Sequence, residues 1–141
     1  MYRILIVEDD EIIARSLKKH LESWDYDVVC VEDFSDVMKK FAGAAPQLVL
    51  MDIQMPVMNG YEATRALRAS DNPVGRTIPI IAMTANAFAD DIQQSMDAGM
   101  DMHLSKPIDI AVLEKTLSLF RTDKKNHGRA VFKRRVMEME K

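Results

Sequence analysis

Four acids in a row, Glu8-Asp9-Asp10-Glu11, follow the short apolar run Ile4–Val7. Crowded carboxylates repel one another more strongly as the local dielectric falls, so a cation among them is one solution. A helix start decorated with acids, which the macrodipole favours, is the other. A second carboxylate, Asp52, directly follows the run Leu48–Met51, and alone it reads as a turn or cap residue. Thr84 follows a third run and lies between small residues, and Lys106, followed by Pro107, comes after a fourth. Taken together, three acids at Glu8, Asp9 and Asp52, a hydroxyl and an ammonium make a set that suits phosphoryl acceptance. A hard divalent cation takes oxygen ligands, and cation and Lys106 neutralise the phosphoryl oxygens. The Thr84 hydroxyl hydrogen-bonds one of those oxygens, and Asp52 is the natural nucleophile.

That set works only if one fold brings the ends of separate runs to one place. The apolar runs Ile4–Val7, Val28–Val31, Leu48–Met51 and Ile78–Ala82, with a weaker one at Met102–Leu104, are short and β-branched, as strands covered on both faces are. Between them, apolar residues recur at helical spacing: Ile13, Leu17, Leu21 and Trp24; Val37 and Phe41; Phe88, Ile92 and Met96; Ile110, Leu113, Leu117 and Phe120. Gly43 and Pro46 close the second helix, Asn72-Pro73 marks a loop, and Gly99 ends the helix before the last strand. The order is βα five times. This predicts an α/β fold of three layers, a doubly wound parallel five-stranded sheet in the order 2-1-3-4-5. Ligands in such sheets collect beyond the carboxyl ends of the strands, where every strand but the second delivers a polar group.

With these residues in place, Met1–Phe120 resembles the receiver domain of bacterial two-component response regulators. The resemblance rests on Ile4–Asp9, on Asp52 in Met51-Asp52-Ile53-Gln54-Met55-Pro56 followed by Asn59-Gly60, on Met83-Thr84-Ala85 and on Lys106-Pro107. It implies a phosphoacceptor that takes a phosphoryl group on Asp52 from a sensor histidine kinase or phosphotransfer protein and is not itself an enzyme. It further implies Mg²⁺ or Mn²⁺ held by Asp9 and Asp52 side chains, the Gln54 backbone carbonyl, and Glu8 through water. Thr84 would be drawn to the phosphoryl oxygens, and His103, at a usually aromatic position, would turn inward with it; a His there is otherwise a satisfied structural residue. Ala85 leaves room for the transfer, and the proline after Lys106 is usually cis. The first fifty residues look like receivers of winged-helix regulators, and Asp52 through Pro107 like receivers of hybrid kinases. The resemblance allows a phosphorylation-dependent dimer, although the charged residues of the winged-helix dimer mode are not apparent in Phe88–Met96 or Ile110–Phe120.

Composition sets the remaining bounds. The 141 residues suffice for one domain, expected at 1–121, with 122–141 a basic tail or linker stub able to form a short helix. Residues 1–120 hold 11 Lys and Arg against 19 Asp and Glu, whereas 121–141 hold 8 against 3, so the acidic body does not suit nucleic acid. The tail places Phe132, Val136 and Met139 at helical spacing among Lys133, Arg134 and Arg135. No apolar run is long enough to span a bilayer, and the single cysteine, Cys30, reads as a buried, inert thiol; both fit a cytoplasmic protein. Two rivals use the same elements. An aspartyl-phosphate hydrolase usually carries an acid two residues after its nucleophile, where this chain has Gln54, and a flavodoxin-type loop for a flavin phosphate would be repelled by residues 8–11.

Overall fold

The computed structural model describes residues 2–31, 37–53, 60–85 and 89–123. Its strands are β1 (Arg3–Val7), β2 (Asp27–Val31), β3 (Leu48–Asp52), β4 (Ile80–Thr84) and β5 (Met102–Ser105). The helices are α1 (Glu11–Ser23), α2 (Val37–Ala44), α3 (Gly60–Ala69), α4 (Pro73–Thr77), α5 (Ala89–Ala98) and α6 (Ile110–Asp123). All strand pairs are parallel, in the order β2-β1-β3-β4-β5.

Alternation along each central strand divides the core in two, because successive side chains point to opposite faces of a sheet. Ile4, Ile6, Leu48, Leu50, Ile81 and Met83 pack with Leu17 and Leu21 of α1 and Leu113, Leu117 and Phe120 of α6. Leu5, Val7, Val49, Met51, Ile80 and Ala82 pack instead with Val37 and Phe41 of α2 and Ala63 and Leu67 of α3. Both faces being covered, β3 and β4 are buried along their whole length. That explains why they read as continuous apolar runs.

The structure differs from the sequence expectations in several places. Asn72-Pro73 does not simply mark a loop: the Asn72 side chain caps the short helix α4 by accepting from Val74 N at 3.0 Å, with Pro73 in the first turn. Strand β4 begins at Ile80 rather than Ile78, since Pro79 precedes it, and it extends to Thr84. Gly43 lies inside α2, and the left-handed residue after that helix is Ala45, with φ of 49°. On α5 it is Ser95 and Ala98 that are buried, while Met96 is exposed. Gly99 ends α5 as expected, with φ of 106°. Cys30 is half-buried against the first core rather than fully enclosed. Helix α6 runs two residues beyond Arg121. Phe88 and the tail from 124 onward lie outside the described residues.

Candidate phosphoacceptor site

The carboxyl edge of the sheet is assembled from strand ends that hydrogen bonds hold in register. Ile53 N donates to Met83 O at 3.2 Å, and Lys106 N donates to Thr84 O at 2.7 Å, which sets the ends of β3, β4 and β5 side by side. Glu8 N donates to Val31 O at 3.2 Å and fixes the end of β1. Gly60 then packs on the back of β3. A Cβ at that position would sit 2.5 Å from the carbonyl oxygen of Asp52 and 2.8 Å from Cα of Ile53. Only a glycine lets α3 start this close to the acceptor strand.

The four successive acids divide their labour. Asp10 caps α1, accepting from Ile12 N at 2.9 Å and Ile13 N at 3.2 Å, and Glu11 pairs with Arg15 one turn on. Those two residues follow the helix-start reading. Glu8 and Asp9 follow the other, for their carboxylates and that of Asp52 offer ligand atoms that all lie within 4.8 Å of one another. Glu8 and Asp52 are buried and Asp9 is exposed, so the cluster has a closed floor and an open mouth.

Lys106 is the ammonium at this edge. Its Nζ lies 2.7 Å from Glu8 Oε1 and 3.4 Å from Asp52 Oδ1, so its shorter contact is with Glu8. The other Glu8 oxygen accepts from Asp10 N at 3.2 Å. Burial, then the neighbouring Asp52, raises the Glu8 pKa above the usual carboxylate range, against the pull of Lys106. Asp9 is also raised, by desolvation first and then by Glu8. For Lys106, burial acts to lower the pKa, but the Glu8 and Asp52 carboxylates outweigh it and hold the ammonium charged. Three carboxylates cluster where Lys106 pairs with two of them, and Glu8 and Asp9 are pushed toward protonation by desolvation first and by their neighbouring acids next. All donors are oxygens, the chemistry a hard divalent ion takes.

The structure brings Glu8, Asp9, Asp52, Thr84 and Lys106 to one edge. Thr84 is buried at the end of β4, beside the exposed, small Ala85. His103 lies opposite Ala82 on β5, two residues back from the edge, half-buried and lining a surface groove with Val112. The Lys106–Pro107 bond is cis. Gln54 lies outside the described residues. Sequence reasoning missed the anchoring of Lys106 by Glu8 and the packing role of Gly60; the Asn59-Gly60 pair was the available signal for the second.

A model of the response regulator receiver domain family matches residues 4–118. The chain belongs to that family. Among relatives of this receiver, the sensory transduction protein BceR of Bacillus subtilis is 34% identical over 122 residues, 86% of this chain and 51% of its own length. The sensor histidine kinase RcsC of Escherichia coli K12 is 37% identical over 117 residues, 83% of this chain and 12% of the kinase. The receiver domain of the sensor histidine kinase PA1611 from Pseudomonas aeruginosa PAO1 is 37% identical, with a TM-score of 0.76 over 84% of this chain and 96% of that one. Its crystal structure has a magnesium ion coordinated in the active site cleft. The chain thus spans about half the length of the response regulator it matches and a small part of the kinase. Its matches include response regulators and sensor histidine kinases. As a receiver it is a regulatory domain of two-component systems. No helix among the described residues is long and apolar enough to cross a membrane.

Proposed function

We propose that this receiver accepts a phosphoryl group on Asp52 from the phosphohistidine of a sensor histidine kinase or phosphotransfer protein, and acts as a switch rather than a turnover catalyst. The observation that carries this reading is the position of Asp52, a buried carboxylate clustered with Glu8 and Asp9 and 3.4 Å from the Lys106 ammonium. A carboxylate oxygen of Asp52 attacks phosphorus, the P–N bond to the donor imidazole breaks, and its electron pair stays on that nitrogen. Lys106 neutralises charge on the transferred group as it moves from carboxylate to phosphoryl oxygens.

The deficit of positive charge at Glu8, Asp9 and Asp52 fits a resident Mg²⁺ or Mn²⁺. Asp9 and Asp52 would hold it directly, with the Gln54 carbonyl. Glu8, both of whose oxygens already have partners, would act through water. The ion supplies charge neutralisation for the incoming phosphoryl group.

In the same reading Thr84 and His103 form the switch: the hydroxyl binds the phosphoryl group in one arrangement of the edge, and that preference moves an existing equilibrium. The receiver unit is residues 1–121 and 122–141 a basic tail or linker, in a cytoplasmic protein whose acidic body does not take nucleic acid. Labelling by acetyl phosphate with Mg²⁺ tests the assignment. Asp52→Asn or a chelator should abolish it, and labelling at the wild-type rate in either case would overturn it. Thr84→Ala should still be labelled, while amide shifts induced at 84–105 by beryllofluoride and Mg²⁺ should shrink markedly. Equal shifts in both proteins would remove Thr84 from the switch.

A further inference from the structure

An apolar groove of about 300 Å³ lies between the first turns of α1 and the segment leading into α6, lined by Ile12, Ile13, Leu17, Pro107, Ile108 and Ile110. Ile12 is 80% exposed at its rim. The charged residue lining the groove, Lys106, is already paired with Glu8 and Asp52, while the exposed acids Asp10 and Glu11 immediately precede Ile12 in the chain and exposed Asp109 stands between Ile108 and Ile110. An occupant of this groove should therefore present apolar side chains flanked by cations.

The chain carries such a segment. In Arg129–Lys141, Phe132, Val136 and Met139 recur at helical spacing with Lys133, Arg134 and Arg135 among them. We propose that this basic tail docks in the groove of its own domain, laying its apolar side chains over Ile12 and Ile108 with its cations against Asp10, Glu11 and Asp109. The reach is sufficient. Helix α6 carries the chain away from the groove over 14 residues, about 20 Å at 1.5 Å per residue. Residues 124–131 can return about 26 Å when extended, before Phe132 is reached. The charge balance favours the match, since the tail from 121 holds 8 basic against 3 acidic residues and the body the reverse excess. Docked there, the tail would lie beside Lys106 and Pro107, and any macromolecule approaching this side of the acidic site would have to displace it. The proposal does not depend on phosphoryl transfer, so either can fail alone.

A nitroxide on Met139→Cys, in the full chain with Cys30→Ser, tests it through the amide spectrum. The amides of residues 12–17, 108 and 110 should lose most of their intensity and regain it on reduction of the label. Those of β2, including Val29, should keep theirs and report an intact fold. Lys133→Glu, Arg134→Glu and Arg135→Glu together should restore the groove signals, as should Ile12→Ser. Broadening elsewhere, or none, would overturn the proposal, and so would persistence in the triple variant. Mixing spin-labelled chain with isotope-labelled, spin-free chain separates a second copy as occupant: broadening in that mixture at the strength seen within one molecule would equally overturn it.

Discussion

The two ends of the sheet both bury charge, and they treat it in opposite ways. At the amino end of the strands Arg68 and Asp101 form a complete pair at 3.0 Å, with side chains 12% and 1% exposed. The Arg68 guanidinium also donates to Gly99 O from Nε at 3.0 Å and to Gly75 O from Nη1 at 3.0 Å. Asp101 Oδ2 further accepts from Ile80 N at 2.9 Å. The cation meets the anion, and its further donors find the carbonyl of Gly75 within α4 and that of Gly99 just after α5. At the carboxyl end three carboxylates cluster and Lys106 pairs with two of them, Glu8 and Asp52. A buried pair that is closed on itself can only staple elements together, whereas a site left short of positive charge is poised to take some from outside. Chemistry is read from the imbalance rather than from the presence of buried charge.

Breaking the balanced end should therefore cost stability and little else. Arg68→Ala leaves Asp101 buried without its cation and should destabilise the fold by about 3 kcal/mol in urea unfolding. Tyr or Trp emission would report the transition, and Mg²⁺ affinity of the folded protein should stay within twofold of wild type. A variant of normal stability, or one with metal binding lost while still folded, would erase the distinction between the two ends.

The unbalanced end should answer with the opposite sign. Asp9→Asn removes one of three repelling carboxylates, so the metal-free protein should gain about 0.5 kcal/mol, a figure already reduced for the solvent around an exposed side chain. Wild type should gain about 2.7 kcal/mol from Mg²⁺ at a hundred times its dissociation constant, and the variant less at the same concentration. The order of stability then reverses on adding metal, which thermal unfolding with and without a chelator would show. If Asp9→Asn destabilised the metal-free protein, repulsion would not be the governing feature of the cluster.

The carboxyl end was the more legible in the sequence. A strand covered on both faces announces itself as an apolar run, and the residue that ends it stands at a known edge, so Glu8, Asp52, Thr84 and Lys106 could be placed together from order alone. What order could not show is how charges share partners: Lys106 sits nearer Glu8 than Asp52, a consequence of strand register and side-chain length. The amino end was nearly silent. Arg68 and Asp101 are 33 residues apart on a helix and before a strand, and nothing in either neighbourhood marks them as partners. The face of α5 was misread for a related reason. Apolar periodicity pointed to Met96, but among the described side chains of α5 the buried ones are the small Ser95 and Ala98. The helix at Pro73–Thr77 escaped because five residues are too few for a period to show.

Another cation at the amino end offers the finest test of the contrast, because among the described residues its contacts are with aromatic rings rather than with a carboxylate. The Arg121 guanidinium carbon lies 5.2 Å from the ring centroid of Tyr26 and 5.8 Å from that of Tyr2, and the two rings meet edge to face at 5.7 Å. Burial, then Tyr26, pushes the Tyr2 hydroxyl well above its ordinary pKa, with Arg121 pulling it partway back. With the Tyr2 hydroxyl held protonated in this way, the attraction is that of a cation for aromatic faces. Arg121→Gln should cost about 0.5 kcal/mol through loss of charge and of stem packing together. Arg121→Lys separates the two, since an ammonium keeps the charge but not the planar stacking. Stability recovered fully by Lys would mean that charge alone acts here, and stability recovered only in part would assign the remainder to stacking. Neither variant should change Mg²⁺ affinity, and a change in either would show that the two ends of the sheet communicate, contrary to the division of roles argued from their charge balance.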